Sequence, residues 1–287
     1  MIMKRNISLL AALIMALLAL IPSAVLSEDA DVEIEDIAEE VFADSPDGGE
    51  AAWDFPVALE DMDPDFVKIA NKHYLLEKGF VCKPLVKIKS MSLEKDKITR
   101  KSGDMYVVSK GMELNETCAK ALIELSDAAR ADGQILYLKS AYRSWQTQNT
   151  MYYNRLKKNK GKDDGWVSKP GASDHQTGLG CDVVPRSWRN KAMNGKMGRE
   201  PECQWMVEHC QEYGFIIRYP EDKQDVTEIN YEPWHLRYVG IPAATYIMEN
   251  GLCLEEFNDE LQEAIQRYLS LGGDPEKVNP FIQTRAE

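Results

Sequence analysis

Residues 173–182 read SDHQTGLGCD, and residues 231–240 read YEPWHLRYVG. The 287-residue chain has only four histidines, and one stands in each phrase beside carboxylates. His175 and Asp182 are separated by a stretch that includes Gly178 and Gly180. Glycines there let the backbone turn sharply and enter a strand packed closely on its neighbour, which swings a loop imidazole and a strand carboxylate toward one point. Two histidines and one aspartate suit a hydrolytic zinc: three protein donors and one position left for water. A lone histidine in such a phrase is as often structural. EPWH changes that balance, because Pro233 disfavours α conformation at Glu232, so Glu232 and His235 are not simple helix neighbours. A bend after an extended segment sets both on one cavity. His235 then completes the triad His175, Asp182, His235 around one Zn2+, and Glu232 faces the metal-bound water as proton acceptor. Trp234 between them reads as a packing residue.

Working outward, apolar periodicity predicts a helix over 115–131, with Leu122, Leu125 and Ala129 on one face. Asp132-Gly133 ends it, and QILYLKS follows as a strand. Ser144 is placed to cap a helix through WQTQNTMYYNRLKK, which stops at the Lys/Gly cluster near 160. Residues 161–174 read as loop, LGCDVV as a strand, and ECQWMVEHCQEYG as a helix closed by Gly214. FIIRYP is a strand ended by Pro220. VTEINYE and HLRYVG read as extended, interrupted at Pro233, and helices follow over 242–250 and roughly 254–269. Strands and helices mix without a regular βαβ period, so the expected class is α+β.

The ends of the chain have their own signatures. Lys4 and Arg5 followed by the apolar run through Ser27 resemble an export signal cleaved after Ser27, the rival reading being an uncleaved anchor that tethers the protein to a membrane. Either way the remainder is expected outside the cytoplasm, whether extracellular, wall-associated or periplasmic. From Glu28 to Asp65 there are 16 acidic residues and no Lys or Arg, so the net charge of −13 belongs almost wholly to this stretch, read as a solvated, disordered leader. The rest is nearly neutral and has no basic stripe to answer phosphates, which excludes a nucleic-acid binder. Residues 66–287 are then one domain. Six cysteines at 82, 118, 181, 203, 210 and 253 permit up to three disulfides in an exported chain. Cys203 and Cys210 lie too far apart along one helix to pair with each other.

SDHQTGLGCD followed by EPWH resembles the S-x-H-x-x-G-x-A-x-D and E-x-W-H motifs of the VanY-type zinc D-alanyl-D-alanine carboxypeptidases. SAYRSWQTQ at 140–148 resembles that family's S-G-Y-R-S-x-x-x-Q segment, and YGFIIRYP and HLRYVG follow its habits of sequence. The likeness spans roughly 115–255. It implies a hedgehog-like zinc fold, a small antiparallel sheet flanked by helices. It also implies His175, Asp182 and His235 as zinc ligands and Glu232 as general base. Arg143 becomes a cation at the scissile carbonyl or the substrate carboxylate, with Gln148 and Ser173 as polar contacts. The implied substrate is a peptidoglycan stem peptide losing its terminal D-alanine. L,D-carboxypeptidase or endopeptidase action on the same wall peptides, and a non-catalytic wall-binding module, are the alternatives. Ala141 and Gly180 depart from the motifs small-for-small. Cys181 stands at a usually aliphatic position and reads as core or disulfide. His73 and His209 lie outside every motif and are expected to be structural.

Overall fold

A computed structural model describes residues 51–91, 93–94, 97–98 and 103–286. The strands are β1 (Leu85–Lys87), β2 (Leu93–Glu94), β3 (Lys97–Ile98), β4 (Tyr106–Val107), β5 (Glu113–Asn115), β6 (Leu136–Ser140), β7 (Gly180–Pro185), β8 (Phe215–Tyr219) and β9 (Glu232–Tyr238). The main helices are α1 (Glu116–Ala131), α2 (Trp145–Lys158), α3 (Pro201–His209), α4 (Gln224–Thr227), α5 (Ile241–Glu249) and α6 (Leu254–Ser270). The class is α+β. The central sheet has the order β4-β6-β7-β9-β8. Its β6, β7, β9 and β8 neighbours pair antiparallel, whereas the edge strand β4 pairs parallel to β6, so the sheet is mixed rather than purely antiparallel.

Local chemistry sets the element ends. The Asn115 side chain accepts from Thr117 N and Cys118 N at the start of α1, and the Ser144 hydroxyl accepts from Thr147 N at the start of α2. Gly214, at φ 78°, closes the turn before β8, as its left-handed conformation requires. Along α1, Cys118, Leu122, Leu125 and Ala129 are fully buried against β6, β7 and β9. Truncating either leucine would cost about 2–5 kcal/mol. Alternation along β9 sends Leu236 and Tyr238 into this core and leaves His235 and Arg237 on the other face. Toward that second face pack α5 and α6, with Ile216, Val239 and Phe257 in a separate apolar cluster.

Four expectations need correction. The acidic stretch through Asp65 is packed from Ala51 onward: Val57 and Met62 are buried, and Trp53 meets Tyr268 of α6 edge-on at 5.8 Å. Its aromatic and aliphatic residues outweigh the charges that a composition count emphasises. The part before residue 51, with the expected signal or anchor, lies outside the described residues. Residues read as extended within VTEINYE instead close the short helix α4 at Thr227, and Pro233 lies inside β9 rather than interrupting it. All six cysteines are free and buried, so none of the permitted disulfides forms. Cys181 belongs to the core under the sheet, with its thiol pushed far up by burial. Among the described residues no helix is long and apolar enough to cross a membrane.

Candidate metal centre and active site

The sheet register builds the centre. Asp182 of β7 lies directly opposite His235 of β9. His175 reaches them from the 3-10 turn Asp174–Gln176 that precedes β7. Potential ligand atoms of His175, Asp182 and His235 all lie within 4.8 Å of one another, and all three residues are buried. Asp182 Oδ1 is 3.4 Å from His175 Nε2 and 3.2 Å from His235 Nδ1.

Each ligand is oriented by its surroundings. His175 Nδ1 meets the carbonyl of Ala141 at 2.7 Å, so the proton on Nδ1 is donated there and the Nε2 lone pair faces Asp182. The backbone N–H of Arg143 donates to the His175 carbonyl at 3.0 Å, tying the 140–148 segment to the same turn. Burial, and next the Arg143 guanidinium, depress the His175 imidazole to about 4, which keeps it neutral. His175 Nε2 and Asp182 Oδ1 are buried without hydrogen-bond partners. Buried polar atoms without partners are costly, and donors of these types converging on one point are what a divalent cation would satisfy. The donor set fits a metal.

Glu232 joins the cluster through an irregularity of β9. Ile217 opposes Leu236 and Tyr219 opposes Glu232, so Pro233, Trp234 and His235 stand opposite Arg218 alone. Such a bulge re-aims side chains that strict alternation would separate. It brings Glu232 Oε2 to 3.6 Å from His235 Nδ1. Proline, which has no N–H to give the ladder, is tolerated there. Burial, and next the Asp182 charge, push the Glu232 carboxyl well up, with Arg143 opposing.

These groups line a cavity of about 530 Å³, whose walls include Arg143, Ser173, Tyr219 and Trp234. Arg143 Nη1 donates to Gln148 Oε1 at 2.8 Å and contacts Met151 Sδ at 3.4 Å, while its Nε is buried without a partner. Gln148 is itself buried, and its amide nitrogen donates to the Ser168 carbonyl at 2.7 Å. Gln148 therefore spends both ends of its amide holding Arg143 and the 166–168 wall. Lys139 Nζ donates to the carbonyls of Trp188 at 3.1 Å and Lys191 at 2.5 Å, anchoring the loop that brings Met193 to the rim. Trp234 is buried and stacks at 6.4 Å on Trp166, so it packs as well as lining the cavity. His73 pairs with Glu228 and His209 with Glu212, both away from the centre.

Sequence reasoning missed a second set of charges on the same face of the sheet. Asp174 accepts from Arg218 Nε at 2.7 Å and from Arg237 Nη1, and Arg218 also grips Glu255 of α6 through two bonds of 2.7 Å. Arg237 Nη2 donates to the carbonyls of Phe66 at 2.9 Å and Lys68 at 2.7 Å. Asp174, Arg218 and Arg237 are 0% exposed. Burial opposes the Asp174 charge, but Arg237 and Arg218 outweigh it and hold the carboxyl at about 2. The backbone of Gly180 lies so close that an added Cβ would come within 2.8 Å of Asp174 Cβ, which accounts for glycine at a position where similar motifs have alanine. Asp174, Gly180, Arg218 and Arg237 stood in the quoted phrases, and Glu255, Phe66 and Lys68 outside them. Only the fold reveals that their charges are inside.

The profile of the family described as "VanY: D-alanyl-D-alanine carboxypeptidase" matches residues 111–241. A D-alanyl-D-alanine carboxypeptidase of Enterococcus faecalis is 38% identical over 164 residues, covering 54% of this chain and 59% of its own. The chain spans roughly half the length of most curated relatives it matches. Among solved structures, the LdcB LD-carboxypeptidase is similar with a TM-score of 0.56 and 35% identity, over 69% of this chain and 87% of that one. A vancomycin-resistance D,D-pentapeptidase VanY variant, solved in complex with Zn(II), has a TM-score of 0.51 and 29% identity, over 67% of this chain and 98% of its own.

Proposed function

The chain belongs to the VanY family of D-alanyl-D-alanine carboxypeptidases, and from that premise we propose that it is a zinc peptidase removing the terminal D-alanine of peptidoglycan stem peptides. The observation that carries this reading is the convergence of His175 Nε2, Asp182 Oδ1 and His235 Nδ1, with the Glu232 carboxylate beside them in a cavity. One Zn2+ held by those three residues would supply Lewis acidity and a water of near-neutral pKa.

The chain's own residues do the rest. Glu232 takes the proton of the attacking water, a step that its upward-shifted carboxyl favours, and then delivers it to the departing amine. Arg143 has an unpartnered buried Nε in the same cavity, so it offers a donor to the developing oxyanion or to the substrate's terminal carboxylate. Gln148 acts through Arg143, holding the guanidinium in register, and Ser173 offers its hydroxyl to the peptide from the cavity wall. Burial keeps the His175 imidazole unprotonated and ready to bind a cation. Export to the wall, by a cleaved signal or with a tether, is the compartment this substrate requires.

Incubating the purified chain with muramyl pentapeptide tests the reading. D-alanine release that stops with chelator and returns with zinc is expected; no release at any zinc level would refute it. The likeness to the LdcB LD-carboxypeptidase supports a second reading, cleavage of tetrapeptides. Mass spectrometry of the digested muropeptides separates the two by which peptide shortens.

A further inference from the structure

We propose that the buried quartet Asp174, Arg218, Arg237 and Glu255 is a positioning device that sets the affinity of the metal centre, and that it makes this affinity depend on α6. Asp174 directly precedes His175, and Arg237 follows His235 by two residues on the same face of β9. The carboxylate of Asp174 therefore clamps the two ligand-bearing segments together through its two oxygens, one on each guanidinium. The clamp is not self-sufficient. Arg218 divides its donors between Asp174 and Glu255, and Arg237 divides its own between Asp174 and the carbonyls of Phe66 and Lys68. Two carboxylates and two guanidiniums balance in charge, as a group with members this deeply buried must.

Glu255 and the 66–68 strap both lie outside the family-matched residues 111–241. Segments with no ligand of their own thus complete the support of the ligands. Removing the Glu255 charge leaves Arg218 with an excess positive charge and one remaining anion. The guanidinium then draws on Asp174 alone, and the turn carrying His175 loses its fixed register. Residues that support metal ligands in this way typically change affinity 10–100-fold when removed.

The inference takes the metal from the proposed function, but its test does not read catalysis. The zinc dissociation constant is measured on the full chain by competition with a chromophoric chelator, and the coordination by the visible spectrum of the Co2+ form. The variants are Glu255→Gln, Glu255→Asp and, as a destabilising control on the same helix, Phe257→Leu. Phe257 is fully buried in the second apolar cluster and is no part of the quartet. Glu255→Gln is expected to weaken zinc binding about tenfold or more and to alter the Co2+ band. Glu255→Asp, which keeps the charge but shortens its reach, is expected to fall between Glu255→Gln and wild type. Phe257→Leu is expected to lower Tm while binding zinc within twofold of wild type. Any other order of dissociation constants, or equal weakening by Phe257→Leu, overturns the proposal. D-alanine release is followed in parallel: tight zinc binding by wild type without release sinks the peptidase reading alone, and release with unchanged zinc binding in Glu255→Gln sinks this inference alone.

Discussion

Glu232→Gln should move activity and stability in opposite directions. Glutamine keeps the shape and loses the proton acceptor, so the rate of D-alanine release should fall 10²–10⁴-fold, about 3–5 kcal/mol of barrier. The stability argument runs the other way. Glu232 is 9% exposed, its Oε2 lies 3.6 Å from His235 Nδ1, and burial and the Asp182 charge both push its carboxyl upward. A carboxyl raised in the folded state holds its proton more tightly there than in the unfolded chain. Stability therefore declines as pH climbs above the unfolded value near ~4.3. In metal-free protein Glu232→Gln should accordingly be more stable than wild type at pH 7, on the order of 1–3 kcal/mol for a buried group poorly satisfied. The gain should vanish below about pH 4, where both states carry the proton. Urea unfolding of the chelated protein across that range, with parallel measurement of kcat, reads both effects. A metal-free variant less stable than wild type at pH 7, or a rate loss below tenfold, would refute the reasoning.

Other outcomes follow from the same geometry. Arg143→Lys keeps the charge but loses the bond to Gln148 and the unpartnered Nε, so kcat/KM should fall at least tenfold with zinc affinity unchanged. Asp174→Asn leaves the two buried guanidiniums one carboxylate short and should cost about 3–5 kcal/mol in urea unfolding at pH 7. Wild type, with the Asp174 carboxyl held at about 2, should lose roughly 2 kcal/mol of that advantage as pH falls from 4 through 2. Gly178→Ala forces φ 78° on a Cβ that would meet Leu85 Cδ2 at 2.8 Å, and a loss of about 1–2 kcal/mol is expected on unfolding. Iodoacetamide should label none of the six buried thiols in native protein and all six in denaturant, counted by mass.

The centre was legible because its chemistry is concentrated. His175 and Asp182 lie within one decapeptide, and Glu232 and His235 within one tetrapeptide that a proline keeps out of helix. What remained hidden was geometric. Nothing in EPWH states that β9 bulges past Arg218, yet only that bulge sets Glu232 and His235 on one side. Arg218, Arg237 and Glu255 look in sequence like any surface charges, because burial of a charge depends on a partner brought from elsewhere in the chain. The resemblance implied Gln148 as a polar contact to substrate, and only the fold shows that its amide also bonds Arg143 and Ser168. The acidic stretch misled in the opposite sense: Trp53, Phe55 and Val57 find α6, a contact that net charge cannot express. Export chemistry suggested disulfides, but the cysteines serve as small apolar core residues.

Diffraction from zinc-loaded crystals at the zinc absorption edge tests the central claim most directly. One anomalous peak per chain is expected, about 2.0–2.2 Å from His175 Nε2, an Asp182 carboxylate oxygen and His235 Nδ1, with Glu232 uncoordinated and one position left to solvent. A peak elsewhere, none at all, or a fourth protein ligand closing the site would contradict the account.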